Sequence, residues 1–195
     1  MPPPVLLFDV MSTLVYDPYA LEEPAFFGTS RERLQELKDP SAWIDFELGR
    51  IDEAEFFQSF FLDRRAFDYG GLRQCFIEGY RWLEGMRELL ADLRGASVEI
   101  HALSNYPPWY HLIEAKLKLS RYLKWSFVSC NTGMRKPQSE AYQAAARALQ
   151  RPPQDCLFID DRQSNCRAAE AVGMPALLFS DADSLRKRLE SRDLL

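Results

Sequence analysis

The stretch that most constrains the fold lies near the start, where the apolar residues Val5-Leu6-Leu7-Phe8 lead into Asp9. A short continuous apolar run is typical of a parallel β-strand that is buried on both faces. A carboxylate at the carboxyl end of such a strand occupies the place where open α/β sheets hold their active sites. The sequence therefore predicts an α/β fold, and Asp9 is its leading candidate for a nucleophile or a metal ligand.

Predicted helices and strands alternate beyond residue 83. The predicted strands cover residues 98–103, 125–129, 156–159 and 176–179, and the predicted helices cover 86–93, 109–117, 139–149, 165–172 and 184–189. Alternation of this kind is typical of a doubly wound parallel sheet with a Rossmann-like core.

The segment between residues 17 and 82 has a different pattern, helical and rich in aromatic residues. Ser30 and Asp52 are predicted to cap helices over 32–38 and 53–61, and further helical segments follow Pro40-Ser41 and cover 72–80. Because this block interrupts the alternation, we interpret it as an all-helical cap, residues 17–82, inserted into a core domain of residues 1–16 and 83–195. An insertion after the first strand would cover the active-site end of the sheet as a lid.

Composition excludes several classes of protein. Of the 195 residues 47% are hydrophobic, enough for a sizeable core, and the net charge of −5 argues against nucleic acid as a partner. No apolar run approaches the roughly 18 residues that span a bilayer, so no membrane partner is expected. The first five residues carry neither a basic region nor an Arg- and Ser-rich presequence, so no targeting segment is expected in this sequence.

The cysteines and histidines indicate neither a disulfide framework nor a zinc site. Four cysteines are scattered without a CxxC pair, and only His101 and His111 could join them as ligands. Free thiols are typical of a soluble protein in a reducing compartment, here the cytoplasm or a plastid. The sequence leaves the oligomeric state open.

Polar residues follow four of the predicted strands, at Asp9, Ser104-Asn105, Lys136 and Asp160-Asp161. Each alone has an ordinary explanation as a turn former, a surface charge or a helix cap. Because the carboxyl ends of parallel strands meet at one edge of a sheet, we expect these groups to converge.

Together these stretches resemble the haloacid dehalogenase superfamily of aspartate-nucleophile hydrolases. The likeness rests on Phe8-Asp9-Val10-Met11-Ser12-Thr13-Leu14, Leu103-Ser104-Asn105, Lys136-Pro137 and Phe158-Ile159-Asp160-Asp161-Arg162-Gln163-Ser164-Asn165. These stretches span nearly the whole chain, and the helical insertion is similar to the small cap of that family. More narrowly, Met11 and the run Ser104-Asn105-Tyr106-Pro107-Pro108-Trp109-Tyr110 are similar to its plant chloroplast flavin mononucleotide phosphatase branch.

The resemblance implies that Asp9 attacks phosphorus and forms an aspartyl phosphate, which water later hydrolyses. It implies that Mg²⁺ is held by Asp9, Asp160 and the backbone carbonyl of Met11, since hard oxygen ligands suit this ion. Lys136 would counter the charge of the nucleophile and of the phosphate. The remaining implied roles are phosphate binding by Thr13, Ser104, Asn105 and Lys136, and support of the ligands by Asp161 and Asn165.

Met11 departs from the phosphatase pattern, because phosphatases of this superfamily carry an Asp two residues after the nucleophile. That Asp protonates the leaving oxygen and activates water, which is typically worth on the order of 10²–10⁴-fold in rate. The dehalogenases also lack it, but they use no metal and have no need of Asp160-Asp161. We therefore favour a Mg²⁺-dependent phosphomonoesterase with reduced or selective activity.

The expected partner is a small phosphorylated metabolite, with flavin mononucleotide favoured. Trp109 and Tyr110 follow Ser104-Asn105 closely enough to stack on a flat ring, although Trp109 could equally pack its helix against the sheet. Two alternatives remain: a pseudoenzyme that binds a phosphorylated ligand or a protein partner, and a metal-independent 2-haloacid dehalogenase.

Overall fold

The structure, a computed structural model, describes residues 3–195. Residues 1 and 2, which belong to the predicted first segment and to the argument about targeting, lie outside the described residues. Within residues 3–195 a five-stranded sheet has the order β3-β2-β1-β4-β5. The strands are β1 (Val5–Phe8), β2 (Ile100–Ser104), β3 (Lys124–Val128), β4 (Cys156–Asp160) and β5 (Ala176–Leu178). All their pairings are parallel, so the predicted fold class is confirmed.

The first strand occupies the centre of the sheet. Leu7 lies opposite His101 of β2 on one side and Phe158 of β4 on the other, and all four residues of β1 are buried. A strand with neighbours on both sides and helices on both faces has no contact with solvent, which explains the continuous apolar run. The residue that follows β1, Asp9, therefore stands in the middle of the carboxyl edge.

Helices cover both faces of the sheet. In chain order the α-helices of residues 3–195, of which the first five lie in the insertion, are α1 (Glu22–Phe26), α2 (Arg31–Leu37), α3 (Ala42–Glu47), α4 (Glu53–Ser59), α5 (Tyr69–Gly79), α6 (Met86–Gly95), α7 (Tyr110–Leu117), α8 (Ser129–Thr132), α9 (Ser139–Ala148), α10 (Gln163–Ala171) and α11 (Ala182–Glu190). The core on one face includes residues of α6, α7 and α11, and the core on the other includes residues of α9 and α10.

Local capping signals locate the starts of two helices in the insertion. The Ser30 hydroxyl accepts a hydrogen bond from the Arg33 amide, and Asp52 and Glu55 form a reciprocal capping box. The predicted helix 53–61 ends at Ser59, two residues early. Two helices, α1 and α8, were missed. Pro24 lies in the first turn of α1, where an amide hydrogen would have no partner within the helix.

The chain enters and leaves the helical insertion through two paired linkers. The Tyr16 amide donates to the Arg81 carbonyl and the Leu83 amide to the Leu14 carbonyl, and Val15 and Trp82 form an antiparallel bridge. The division into a core of 1–16 and 83–195 and a cap of 17–82 stays a prediction, and these crossings lie beside its proposed boundaries.

The insertion and the sheet share one hydrophobic core. Phe46, Phe56 and Phe76 from the insertion pack around the Trp109 ring, with centroids 5.1–5.9 Å away. At the same interface Gly49 adopts a left-handed conformation, with φ +67°, and a Cβ there would fall on the Cys130 carbonyl oxygen. Glycine at position 49 thus lets the end of α3 approach α8 closely.

In the part of the chain that the structure describes, every helix is too short or too polar to cross a bilayer.

Candidate active site

A buried lysine joins two carboxylates at the carboxyl edge of the sheet. Lys136 Nζ lies 2.8 Å from Asp9 Oδ1 and 2.7 Å from Asp160 Oδ2, and all three side chains are at most 11% exposed. Burial raises the pKa of Asp9 to about 7, against the opposing effect of Lys136. Burial alone would lower the pKa of Lys136, but Asp9 and Asp160 together raise it. Lys136 is therefore a permanent cation beside the candidate nucleophile.

Asn105 holds the backbone that carries this lysine. Its side-chain nitrogen donates to the Lys136 carbonyl and its side-chain oxygen accepts from the Lys136 amide, both at 2.8 Å. The end of β2 is thereby tied to the loop before α9, and Lys136 is fixed across the sheet edge. The predicted contact of Asn105 with phosphate stays a prediction, since this pair uses one donor and one acceptor of its amide group.

Asp160 is held by a network of its own. Asn165 Nδ2 lies 3.0 Å from both carboxylate oxygens, and the Arg162 amide donates to Oδ1 at 2.8 Å. The Tyr142 hydroxyl donates to the Asn165 carbonyl and anchors the start of α10. Asn165 therefore orients Asp160, and its role in supporting a metal ligand stays a prediction.

Asp9, Asp160 and Asp161 form an acidic cluster that fits a divalent cation. One oxygen from each of the three carboxylates lies within 4.8 Å of the others. Burial, and then the charge of Asp160, raise the pKa of Asp161. Three carboxylates facing a single lysine leave excess negative charge, and hard oxygen donors of this kind suit Mg²⁺. The donor set therefore fits the ion that the sequence predicted, and Asp161 belongs to the same cluster of carboxylates as Asp9 and Asp160.

Two hydroxyl groups near the carboxyl ends of β1 and β2 are buried without a hydrogen-bond partner in residues 3–195. They are Thr13 Oγ1 and Ser104 Oγ, and both residues are at most 2% exposed. Buried polar groups are nearly always satisfied, so these two hydroxyls can donate to a ligand bound at this edge of the sheet. Both were predicted to bind phosphate.

A cavity of about 220 Å³ opens in front of the acidic cluster. From the core its wall includes Asp9, Met11, Ser12, Asn105, Tyr106, Arg135, Lys136, Asp161, Arg162 and Asn165, and from residues 17–82 it includes Asp17, Tyr19, Trp43 and Glu47. The insertion thus covers the carboxyl edge of the sheet, as a lid would. Arg135 Nε and Glu47 Oε1, 2.9 Å apart, form an ion pair across the two sides.

The predicted stacking residues lie elsewhere. Trp109 is 3% exposed, is surrounded by phenylalanines of the insertion and donates its indole N–H to Glu53. Tyr110 accepts a hydrogen bond from Asn131 and packs against Trp125. The prediction that this pair stacks on a substrate is therefore wrong in geometry, because the turn before α7 directs both rings into packing contacts.

Comparison with known proteins identifies the family of this chain. A family model for haloacid dehalogenase-like hydrolases matches residues 5–173. Over 186 residues the chain is 52% identical to flavin mononucleotide hydrolase 1, a chloroplastic protein of Arabidopsis thaliana, and the match covers 95% of this chain and 76% of that protein. The chain belongs to the haloacid dehalogenase-like hydrolase family. The resemblance stated from the sequence is confirmed, and so is its classification as a hydrolase.

Two less similar proteins are a fungal phosphatase and a bacterial enzyme of known structure. The sesquiterpene phosphatase astK of Aspergillus oryzae is 32% identical over 116 residues, which is 56% of each chain. A family enzyme of Bacteroides thetaiotaomicron, whose structure contains magnesium and inorganic phosphate, superposes with a TM-score of 0.75 at 19% identity. That match covers 92% of this chain and 96% of the other, and it supports the fold.

Sequence reasoning missed several residues of this hydrolase site. Tyr19, Trp43 and Glu47 reach the cavity from the insertion, and no local pattern distinguishes them from the other aromatic and acidic residues there. Tyr106 and Arg135 adjoin Asn105 and Lys136 in sequence, so their proximity to predicted site residues was the available signal.

Proposed function

We propose that this hydrolase is a Mg²⁺-dependent phosphomonoesterase that acts on flavin mononucleotide through an aspartyl-phosphate intermediate. The observation that carries the proposal is the buried set of Asp9, Lys136 and Asp160, with ionic contacts of 2.7–2.8 Å. The 52% sequence identity of this chain to an Arabidopsis thaliana protein named flavin mononucleotide hydrolase 1 supports the choice of substrate.

Each residue of the site has its own role in the proposed reaction. An Asp9 oxygen attacks phosphorus, and the ester oxygen departs with the electron pair of its bond to phosphorus and takes up a proton to become an alcohol. Lys136 holds Asp9 in place and attracts a phosphate oxygen, while the partnerless hydroxyls of Thr13 and Ser104 donate to the others. When bound, Mg²⁺ screens the repulsion between the carboxylates and the phosphate.

Asp9, Asp160 and the Met11 carbonyl would hold the metal ion, with Asp161 beside them. Met11 is 7% exposed, and its thioether can neither give nor take a proton. The rate is therefore limited unless another group in the cavity supplies the acid that Met11 lacks.

The aromatic wall of the cavity suits a flavin better than an aliphatic phosphate. Tyr19 and Trp43 lie with ring centroids 6.0 Å apart, and Trp43 lies 5.9 Å from Tyr106. These rings line the same cavity of about 220 Å³ as Asp9 and Lys136. Aromatic faces of this kind stack on flat rings, so we place the isoalloxazine against Tyr19 and Trp43.

Phosphate release with and without metal tests the proposed function. We expect wild-type protein with Mg²⁺ to release phosphate from flavin mononucleotide, and we expect EDTA to abolish the release because the three carboxylates then repel the substrate. Restoring Mg²⁺ in excess should restore the rate, which separates metal loss from denaturation.

Other outcomes would favour the alternatives. Binding of flavin mononucleotide without turnover, at a rate no higher than that of Asp9→Asn, would indicate a pseudoenzyme. Release of halide from 2-haloacids that persists in EDTA would indicate a dehalogenase.

Tyr19→Leu should weaken recognition of the flavin ring. An aromatic contact is worth roughly 0.5–1.5 kcal/mol, so KM for flavin mononucleotide should rise about two- to tenfold while kcat changes little. KM for glycerol phosphate, which has no ring, should stay unchanged. If KM changed equally for flavin mononucleotide and for glycerol phosphate, the flavin ring would not contact Tyr19.

A further inference from the structure

The missing acid can be sought among the carboxyl groups that line the cavity. These are Asp9, Asp17, Glu47 and Asp161. Asp9 is the nucleophile, Asp161 belongs to the acidic cluster, and Glu47 is paired with Arg135 at 2.9 Å. Of these four carboxyl groups, Asp17 is the one to which no other role is assigned.

Asp17 is held in place although it lies on a linker. Its Oδ1 accepts from the Tyr19 amide at 3.1 Å, while the preceding residue, Tyr16, is bonded through its amide to the Arg81 carbonyl. Pro18, on its other side, is buried against Gly79, where an added Cβ would meet the proline ring. Asp17 Oδ2 has no hydrogen-bond partner among the residues that the structure describes, so it is available to a ligand.

The surroundings of Asp17 raise its pKa above the ordinary value. Burial is the main cause, and the charge of Asp161 acts in the same direction. The hydrogen bond from the Tyr19 amide, Arg162 and Arg31 oppose the shift, and Glu23 also faces this group. A general acid must carry its proton when the substrate binds, so a raised pKa suits the role.

We propose that Asp17 is the general acid of the reaction and supplies the proton that Met11 cannot. As the bond between phosphorus and the ester oxygen breaks, that oxygen takes the electron pair and the proton from Asp17, and the alcohol leaves. Asp17 becomes a carboxylate, and it recovers a proton from the water that later attacks the phosphate on Asp9. The inference rests on the proposed phosphatase function.

The dependence on the leaving group tests the inference. Flavin mononucleotide releases an alcohol that needs a proton, whereas p-nitrophenyl phosphate releases a stable nitrophenolate. For Asp17→Asn we expect kcat/KM for flavin mononucleotide to fall by about 10²–10⁴-fold and that for p-nitrophenyl phosphate by less than about tenfold. Equal losses on both substrates, or no loss on flavin mononucleotide, would overturn the role of Asp17.

A rescue variant distinguishes loss of the general acid from misfolding of Asp17→Asn. Adding Met11→Asp to Asp17→Asn should recover at least about tenfold in kcat/KM for flavin mononucleotide, because it returns a carboxyl group to the position two residues after the nucleophile. Met11→Asp alone should then raise the rate only slightly. A wild-type protein that hydrolyses neither substrate would overturn the phosphatase function together with this inference. If the wild-type protein were active but Asp17→Asn affected both substrates equally, the role of Asp17 would be overturned and the phosphatase function would stand.

Discussion

Asp9→Asn is expected to lower the release of phosphate from flavin mononucleotide by at least about 10⁴-fold, since loss of a nucleophile removes the covalent route entirely. Asparagine keeps the shape of the side chain but cannot form the aspartyl phosphate. The measurement is the steady-state rate with saturating Mg²⁺, together with chemical trapping of the phosphorylated protein, which should be detected for wild type only.

Asp161→Asn provides the matched control for the nucleophile. It removes a carboxylate of the same acidic cluster without touching the attacking atom, so we expect a smaller loss that higher Mg²⁺ partly recovers. If Asp9→Asn retained more than a hundredth of the wild-type rate, Asp9 would not be the nucleophile.

The second large effect concerns stability. Lys136→Met leaves Asp9 and Asp160 buried without their shared cation, and breaking a buried ion pair typically costs about 3–5 kcal/mol. We expect the free energy of unfolding, measured by urea at pH 8 in EDTA, to fall by about that amount. The difference from wild type should narrow as the pH falls through about 7, because burial raises the pKa of Asp9 to about 7 and a protonated Asp9 no longer needs a cation.

A double variant separates charge from packing. Lys136→Met with Asp160→Asn removes the cation together with one of its buried carboxylates, so it should be more stable than Lys136→Met alone. The result would contradict a charge effect if Lys136→Met lowered the free energy of unfolding by less than about 1 kcal/mol, or if the double variant were no more stable than Lys136→Met. The packing of the lysine stem would then explain the effect of Lys136→Met on stability.

Much of the sheet and its polar edge could be predicted from the sequence. The apolar run 5–8 and the polar residues that follow each strand depend on parallel-strand geometry, which is local and general. For this reason the sequence predicted that Asp9, Lys136 and Asp160 lie close together. The capped starts of α2 and α4 followed from Ser30 and Asp52, whose side chains act on amides only three residues away.

The cavity wall could not be predicted in the same way. Trp109 and Trp43 are both aromatic residues in helical surroundings, and only the packing of the insertion on the sheet decides which of them faces the cavity. Asp17 is an isolated carboxylate beside a proline, a common turn sequence. Its position depends on the pairing of linkers that are about 65 residues apart, which no local rule reveals.

The core shared by the insertion and the sheet limits which substitutions the insertion of this chain can accept. Trp109, which belongs to the sheet side, is enclosed by phenylalanines of the insertion. Gly49 likewise depends on the backbone of Cys130 across the interface. Substitutions in the insertion at these contacts therefore require matching substitutions in the segments that follow β2 and β3, so the cavity wall cannot be redesigned independently of the core.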